Sequence, residues 1–201
     1  MARLGSGSSV PGARIVVIDD DDGMVRAVTS LLELEGHEVV GETDPLRGIE
    51  LVRETKPHLL LLDFYMPVLT GDEVVRRIRA FDSKVQILLV TGYSGSRVAR
   101  DLVRELKIQG YHDKSDGPDR LLLLVNSAVR AARVADRLSD YRRRLRTVSN
   151  AAGRLAQAPS TDALFAAAVE VALDLVDAGQ PTRQGTAAGG RCCFVALGAT
   201  P

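Results

Sequence analysis

Ile15-Val16-Val17-Ile18 leads directly into Asp19-Asp20-Asp21-Asp22, and a second apolar run, Leu59-Leu60-Leu61-Leu62, ends in Asp63. A short unbroken apolar run bounded by polar residues reads as a strand buried on both faces, the pattern of a central strand in a parallel sheet. Two such strands deliver carboxylates to the same edge of that sheet. Ligands of open parallel α/β sheets bind outside the carboxyl ends of the strands, so this cluster of hard oxygens is a candidate Mg²⁺ site.

Outward from these two runs, strand-like segments alternate with helical patterns from Arg14 to about Arg137. The strands fall at 14–18, 38–42, 58–62, 85–90 and 108–112; the first, third and fourth are almost wholly apolar, the second and fifth less so. Val25, Val28, Leu31, Leu32 and Leu34 make a helical stripe that stops at Gly36, a residue suited to a helix C-terminus. Asp44-Pro45 opens a second helix reaching Glu54, Gly71-Asp72 a third reaching Ala80, Ser94 or Ser96 a fourth reaching Lys107, and Asp116-Gly117-Pro118 a fifth. Strict alternation of five strands with five helices predicts an α/β fold, a doubly wound parallel sheet covered on both faces.

The helical pattern does not stop where a five-helix domain would need it to. With Leu124 as heptad position a, the a positions are Leu124, Ala131, Leu138, Leu145 and Ala152, and the d positions are Ser127, Val134, Tyr141, Val148 and Leu155. Nine of these ten are apolar or aromatic, which predicts a coiled-coil helix over 121–156 growing out of the last helix of the domain. Such a seam predicts a homodimer through 121–155, or a fold-back onto 162–177. Pro159 ends the run, and a second amphipathic helix follows, capped by Ser160, Thr161 or Asp162 and reaching about Val176. The division expected is a Gly/Ser-rich disordered leader at 1–13, a domain at 14–136, the long helix, and a segment at 160–201. That last segment ends in a Gly/Thr/Ala-rich tail with one strand-like run, Cys192 to Leu197.

An apolar content of 45% in 201 residues is enough for a real core. Twenty-six basic residues against 26 acidic ones argue against a chain that coats nucleic acid or is drawn strongly to membranes, although Arg142-Arg143-Arg144 and Arg146 concentrate positive charge. The adjacent Cys192 and Cys193 offer neither metal-ligand spacing nor a disulfide framework, so a reducing cytosol, and cytoplasmic localisation, is the simplest expectation. No segment reads as a signal peptide or a membrane span.

On these residues the stretch 14–120 resembles a response-regulator receiver domain of two-component signalling. VIDDDD (17–22) follows the first strand, LLLLDFYMPVLTG (59–71) surrounds the third, LLVTG (88–92) lies at the fourth and GYHDK (110–114) at the fifth. The resemblance implies a flavodoxin-like fold with strand order 2-1-3-4-5. It also implies that Asp63 is the phosphoryl acceptor, and that Asp19 and Asp20 hold Mg²⁺ together with Asp63 and the backbone carbonyl of Tyr65. By the same implication Thr91 contacts the phosphoryl group, Lys114 pairs with it, and Tyr111 is the switch aromatic that moves with Thr91. The implied partner is a sensor histidine kinase or phosphotransfer protein. The implied activity is that of a phosphoacceptor which catalyses its own phosphotransfer and autodephosphorylation and is not otherwise an enzyme. The residue types suit the chemistry: a carboxylate nucleophile must approach an anionic group, and a divalent ion and a lysine offset the repulsion. Positioning and charge stabilisation then suffice without a separate general base.

Two departures stand out. Ser115 follows Lys114 where the family pattern has proline, and a bulky Tyr65 and a small Gly92 flank the site. They leave open a pseudo-receiver that dimerises without phosphorylation. The Arg-rich run leaves open a nucleic-acid-binding regulator, although no helix-turn-helix pattern follows the domain. His37, His58 and His112 stand at no ligand spacing and receive no metal or phosphotransfer role. Residues 147–178 resemble the opening helices of a GAF domain; a helical hairpin, packed on itself or on a second copy, fits them equally.

Overall fold

The computed structural model describes residues 12–92, 108–157 and 159–179. Five parallel strands, β1 (Arg14–Ile18), β2 (Glu38–Glu42), β3 (Leu59–Asp63), β4 (Gln86–Thr91) and β5 (Gly110–Asp113), pair in the order β2-β1-β3-β4-β5. This is the flavodoxin-like order that the resemblance to receiver domains implies. The chain winds outward from β1 in both directions, so β1 and β3 are central neighbours and their carboxyl ends lie side by side.

Alternation along the strands divides the core into two layers. Val16, Ile18, Leu60, Leu62, Ile87 and Leu89 face α2 (Pro45–Thr55) and α3 (Gly71–Arg79). Ile15, Val17, Leu59, Leu61, Leu88 and Val90 face α1 (Asp22–Leu34) and the start of α4 (Pro118–Ala156). Most of these side chains are almost fully buried, and each contributes about 1.5–3 kcal/mol relative to an exposed one. The edge strand β2 is largely exposed, which explains its weaker sequence pattern.

Three strand boundaries shift from the sequence reading. β3 runs 59–63, β4 runs 86–91 and β5 runs 110–113, because hydrophobicity marks which side chains are buried and not where the hydrogen-bond ladder ends. The helix expected from Ser94 or Ser96 to Lys107, the strand-like run in the tail and residues 1–11 of the leader lie outside the described residues.

The last helix of the domain does continue without a break, through α4 to Ala156. Its first turns bury Leu121, Val125, Ala128, Val129 and Ala132, a different stripe from the heptad positions Leu124, Ser127 and Ala131. Beyond that stretch Val134, Leu138, Tyr141, Leu145 and Val148 are exposed. The chain divides into two units, residues 1–139 and 140–201. In the second, α5 (Thr161–Gly179) begins where the Ser160 hydroxyl accepts a hydrogen bond from Ala163 N at 3.2 Å, which selects Ser160 as the cap. Arg154 pairs with Glu170, and Ala151 and Val171 are buried, so the end of α4 and α5 form a hairpin. Among the described residues no helix is long and apolar enough to cross a membrane.

Candidate functional site

Ile18 pairs with Leu62, so Asp19 and Asp63 leave the sheet as neighbours. Both are buried, at 2% and 4% exposure, while Asp20 is exposed. The carboxylates of Asp19, Asp20 and Asp63 converge, with one oxygen of each lying within 4.8 Å of the others. The acidic quartet therefore splits by role. Asp21 caps α1, accepting from Gly23 N at 2.8 Å and Met24 N at 3.2 Å, and Asp22 pairs with Arg26 on the surface.

Lys114 enters this cluster from the end of β5. Its Nζ lies 2.8 Å from Asp19 Oδ2 and 3.1 Å from Asp63 Oδ1. The 3₁₀ turn Lys114–Asp116 that carries it is held by buried Asp113, whose Oδ1 accepts from Ser115 N at 2.7 Å and from Ser115 Oγ at 2.6 Å. A proline at 115 would supply neither donor. The substitution thus leaves lysine in reach of both carboxylates, and the described residues contain no cis peptide bond. The sequence reading missed Asp113; its signal is an Asp two residues before a Ser in an Asp-Lys-Ser turn.

Behind Asp63 the loop returns at Gly71, whose N–H donates to Phe64 O at 2.9 Å. A Cβ at Gly71 would lie 2.8 Å from the Asp63 carbonyl oxygen and 2.9 Å from Phe64 Cα, so only glycine lets α3 start this close to the site. Within the same loop Val68 holds φ 73°, a left-handed conformation unusual for a β-branched residue. The Tyr65 ring is half exposed and meets Phe64 edge-on, with centroids 4.9 Å apart.

Thr91 ends β4 one residue past the partner of Asp63 and is buried. Tyr111 pairs with Leu89 on β5, half buried against the layer that contains Leu89 and Ile87. Residues two apart on a strand share a face, so Thr91 and Tyr111 lie on the same side of the sheet. The three histidines are buried or partly buried. His37 Nδ1 accepts from Ala13 N at 3.2 Å and His58 Nδ1 from Arg14 N at 3.0 Å, both far from the carboxylates along β1.

Burial pushes the Asp63 carboxyl above its usual range, and the neighbouring Asp19 charge adds to that, against the opposing pull of Lys114. Desolvation pulls Lys114 down, but its hydrogen bonds and charge contacts with Asp19 and Asp63 outweigh this and hold it above its usual range. Both directions agree on one picture: the lysine gains from the pair, while the aspartate loses more by burial than the lysine returns. With every group ionised, three carboxylates against one ammonium leave a charge of two negatives, which a divalent cation balances. All-oxygen ligands with an exposed member suit Mg²⁺, a hard ion that retains several waters. The residues present fit the ion.

The family model for the response regulator receiver domain matches residues 15–126. The virulence-factor transcription regulator BvgA of Bordetella pertussis is 39% identical over 88 residues, 43% of this chain and 42% of BvgA. Sporulation initiation phosphotransferase F of Bacillus subtilis is 25% identical over 97 residues, 48% of this chain and 75% of that protein. Among solved structures, a two-component response regulator of the LuxR family from an Aurantimonas species superposes with a TM-score of 0.56 at 31% identity, covering 60% of this chain and 86% of that one. The matched stretch spans less than half of BvgA, so the likeness concerns the domain that carries the acidic cluster. Sheet order, converging carboxylates and family match coincide on the same residues, and the chain belongs to the response regulator receiver domain family.

Proposed function

We propose that the protein is a phosphorylation-dependent signalling switch in which Asp63 accepts a phosphoryl group from a histidine kinase or phosphotransfer protein. The observation that carries the reading is the Lys114 ammonium, 3.1 Å from Asp63 and 2.8 Å from Asp19, at the mouth of a three-carboxylate cluster. An Asp63 carboxylate oxygen attacks the phosphorus of a phosphohistidine; the new O–P bond forms as the P–N bond breaks, and the imidazole departs with the electron pair. Lys114 moves its charge from the ground-state carboxylate to the phosphoryl oxygens. Mg²⁺, held by Asp19, Asp20, Asp63 and the Tyr65 carbonyl, would supply the remaining charge neutralisation when bound. Thr91 then donates its hydroxyl to a phosphoryl oxygen, and the Tyr111 ring follows into the space vacated on the shared face.

The relay outward runs through α4. Its exposed Val134, Leu138, Tyr141, Leu145 and Val148 follow the a/d spacing, which supports pairing with a second copy over this stretch. The pseudo-receiver alternative requires a spoiled pocket, and the reach of Lys114 past Ser115 counts against it.

Incubation with acetyl phosphate and Mg²⁺ tests the central assignment. An acid-stable, base-labile adduct should form on the parent and be absent from Asp63→Asn. Equal labelling of that variant would show that another residue accepts the phosphoryl group.

A further inference from the structure

Beside the acidic cluster stands a further buried carboxylate that the phosphoryl-transfer reading does not use. Asp113, 3% exposed, is the last residue of β5 and pairs with Thr91 across the sheet. A buried carboxylate is unfavourable unless it is hydrogen-bonded, and charge-assisted bonds to it are the strong ones. Ser115 supplies two such bonds to a single oxygen, with its N donating to Asp113 Oδ1 at 2.7 Å and its Oγ at 2.6 Å. The backbone donor alone would make an ordinary Asx-type turn, so the hydroxyl is an addition that depends on the residue type at 115.

What the pair holds is the residue between them. Asp113 caps the 3₁₀ turn Lys114–Asp116, and Gly117 ends it at φ 77°. The order β2-β1-β3-β4-β5 sets β5 two strands from β3 and three from β1. Strands lie about 4.8 Å apart, so Asp63 and Asp19 leave the sheet roughly 10 and 14 Å from the end of β5. A lysine stem spans only about 6 Å from Cα to Nζ. The turn therefore has to carry the residue inward before Nζ can stand 3.1 Å from Asp63 and 2.8 Å from Asp19. The geometry of the turn, and not the length of the side chain, decides where the charge lies.

We propose that Asp113 and Ser115 are positioning residues for phosphoryl transfer, whose paired hydrogen bonds fix the turn that places the Lys114 ammonium against Asp63 and Asp19. The proposal rests on the reading of Asp63 as phosphoryl acceptor, and both residues act through the lysine. Ser115→Ala removes the hydroxyl bond, keeps the backbone one and alters an exposed residue, so the fold is retained while the turn slackens. A misplacement of about 1 Å costs up to roughly a hundredfold in rate where geometry carries the catalysis. The same slackening withdraws a positive charge from the cluster and relieves its repulsion of a divalent cation. Phosphoryl transfer and Mg²⁺ affinity thus move in opposite directions, whereas a general distortion of the pocket would weaken both.

The test measures two quantities on the full chain: Mg²⁺ binding by isothermal titration calorimetry, without phosphorylation, and the rate of adduct formation with acetyl phosphate by intact-mass spectrometry. Ser115→Ala should label about ten- to a hundredfold more slowly than the parent and bind Mg²⁺ about three- to tenfold more tightly. Ser115→Thr, which keeps the hydroxyl, should return both quantities toward the parental values. In a Lys114→Met background, Ser115→Ala should change neither by more than about twofold, since the residue it acts through is gone. Labelling of Ser115→Ala at the parental rate, weaker Mg²⁺ binding by that variant, or an equal slowing in the Lys114→Met background would each overturn the proposal. A parent that acetyl phosphate does not label refutes the acceptor reading and the role in transfer with it. The Mg²⁺ comparison separates the two failures, because an affinity unchanged by Ser115→Ala shows that the pair does not hold the lysine.

Discussion

Gly71→Ala places a methyl group where two backbone atoms already stand, 2.8 Å away at the Asp63 carbonyl oxygen and 2.9 Å away at Phe64 Cα. Carbon contacts are comfortable at about 3.5–4.0 Å, so the loop must retreat by roughly 0.6 Å or more. Overpacking of this kind costs about 1–3 kcal/mol. The retreat also stretches the 2.9 Å hydrogen bond from Gly71 N to Phe64 O, worth about 0.5–1.5 kcal/mol. Opposing both is the helix preference of alanine over glycine, about 0.5–1 kcal/mol in a helix interior and less at the first residue of α3. The steric terms win, and the net expectation is a loss of about 1–3 kcal/mol. Urea denaturation followed by far-UV circular dichroism should show a lower midpoint at unchanged slope. Because the atoms that must move are Asp63 and its neighbour, Mg²⁺ affinity should fall in parallel. Gly153→Ala is the internal control: nothing lies within 4 Å of its added carbon, in the interior of α4, so it should raise helix stability by about 0.5–1 kcal/mol. If Gly71→Ala is as stable as the parent or more so, helix preference outweighs the close approach and the argument from the loop is wrong.

His37 and His58 are both pushed below their usual range, chiefly by burial and then by Arg133 and Arg14 respectively. Their stabilising contribution is therefore present above the unfolded value of about 6.5 and lost as pH falls through the lower folded values; a His37→Asn/His58→Asn double variant should flatten the urea midpoint across that window, and an unchanged slope would refute the assignment. Asp63 carries the opposite sign: its raised carboxyl favours the fold below about pH 3.9 and that contribution is lost as pH rises through the folded value. Asp63→Asn should then exceed the parent in denaturation midpoint at neutral pH, with the gap closing toward about pH 4. Leu138→Lys with Leu145→Lys places two charges in the exposed stripe of α4 and should convert a dimer to a monomer in sedimentation equilibrium; a parent that is itself monomeric at high concentration removes the pairing from the account.

Much of this was legible along the chain because the governing rules are local. The apolar runs of β1, β3 and β4 announced strands buried on both faces, and all three are central or flanked on both sides in the sheet. Asp44-Pro45 and Gly36 marked helix boundaries through fixed backbone preferences, and the structure has α2 starting at Pro45 and Gly36 at φ 85°. The weaker elements are those where burial is partial. β2 exposes its edge, and β5 is four residues long and begins at glycine, so neither shows a clean pattern. Along α4 two apolar stripes follow one another, and only the second coincides with the heptad positions. Leu121, Val125 and Ala128 face the sheet, whereas Leu138 and Leu145 face outward, and both repeat at helical spacing. Periodicity records that a face is apolar and carries no information about what covers it.

The sequence by itself determined that carboxylates follow two apolar runs, which marks a candidate cation site, while the roles of Asp63 and Lys114 toward a phosphoryl group came from the resemblance to receiver domains. Only the tertiary structure decided the individual contacts of the acidic quartet, with Asp19 turned to Lys114, Asp21 accepting from Gly23 N in the α1 cap and Asp22 in a surface pair with Arg26. It also decided that Asp113 anchors the lysine turn in place of a proline, that Gly71 must be small, and that His112 is left with an unpaired nitrogen under α1. The physical reason is that secondary structure follows from preferences within a few residues. A carboxylate's charge, a glycine's clearance and a histidine's missing partner depend on atoms that strand pairing brings together from 40 or more positions away, as from Asp19 to Asp63.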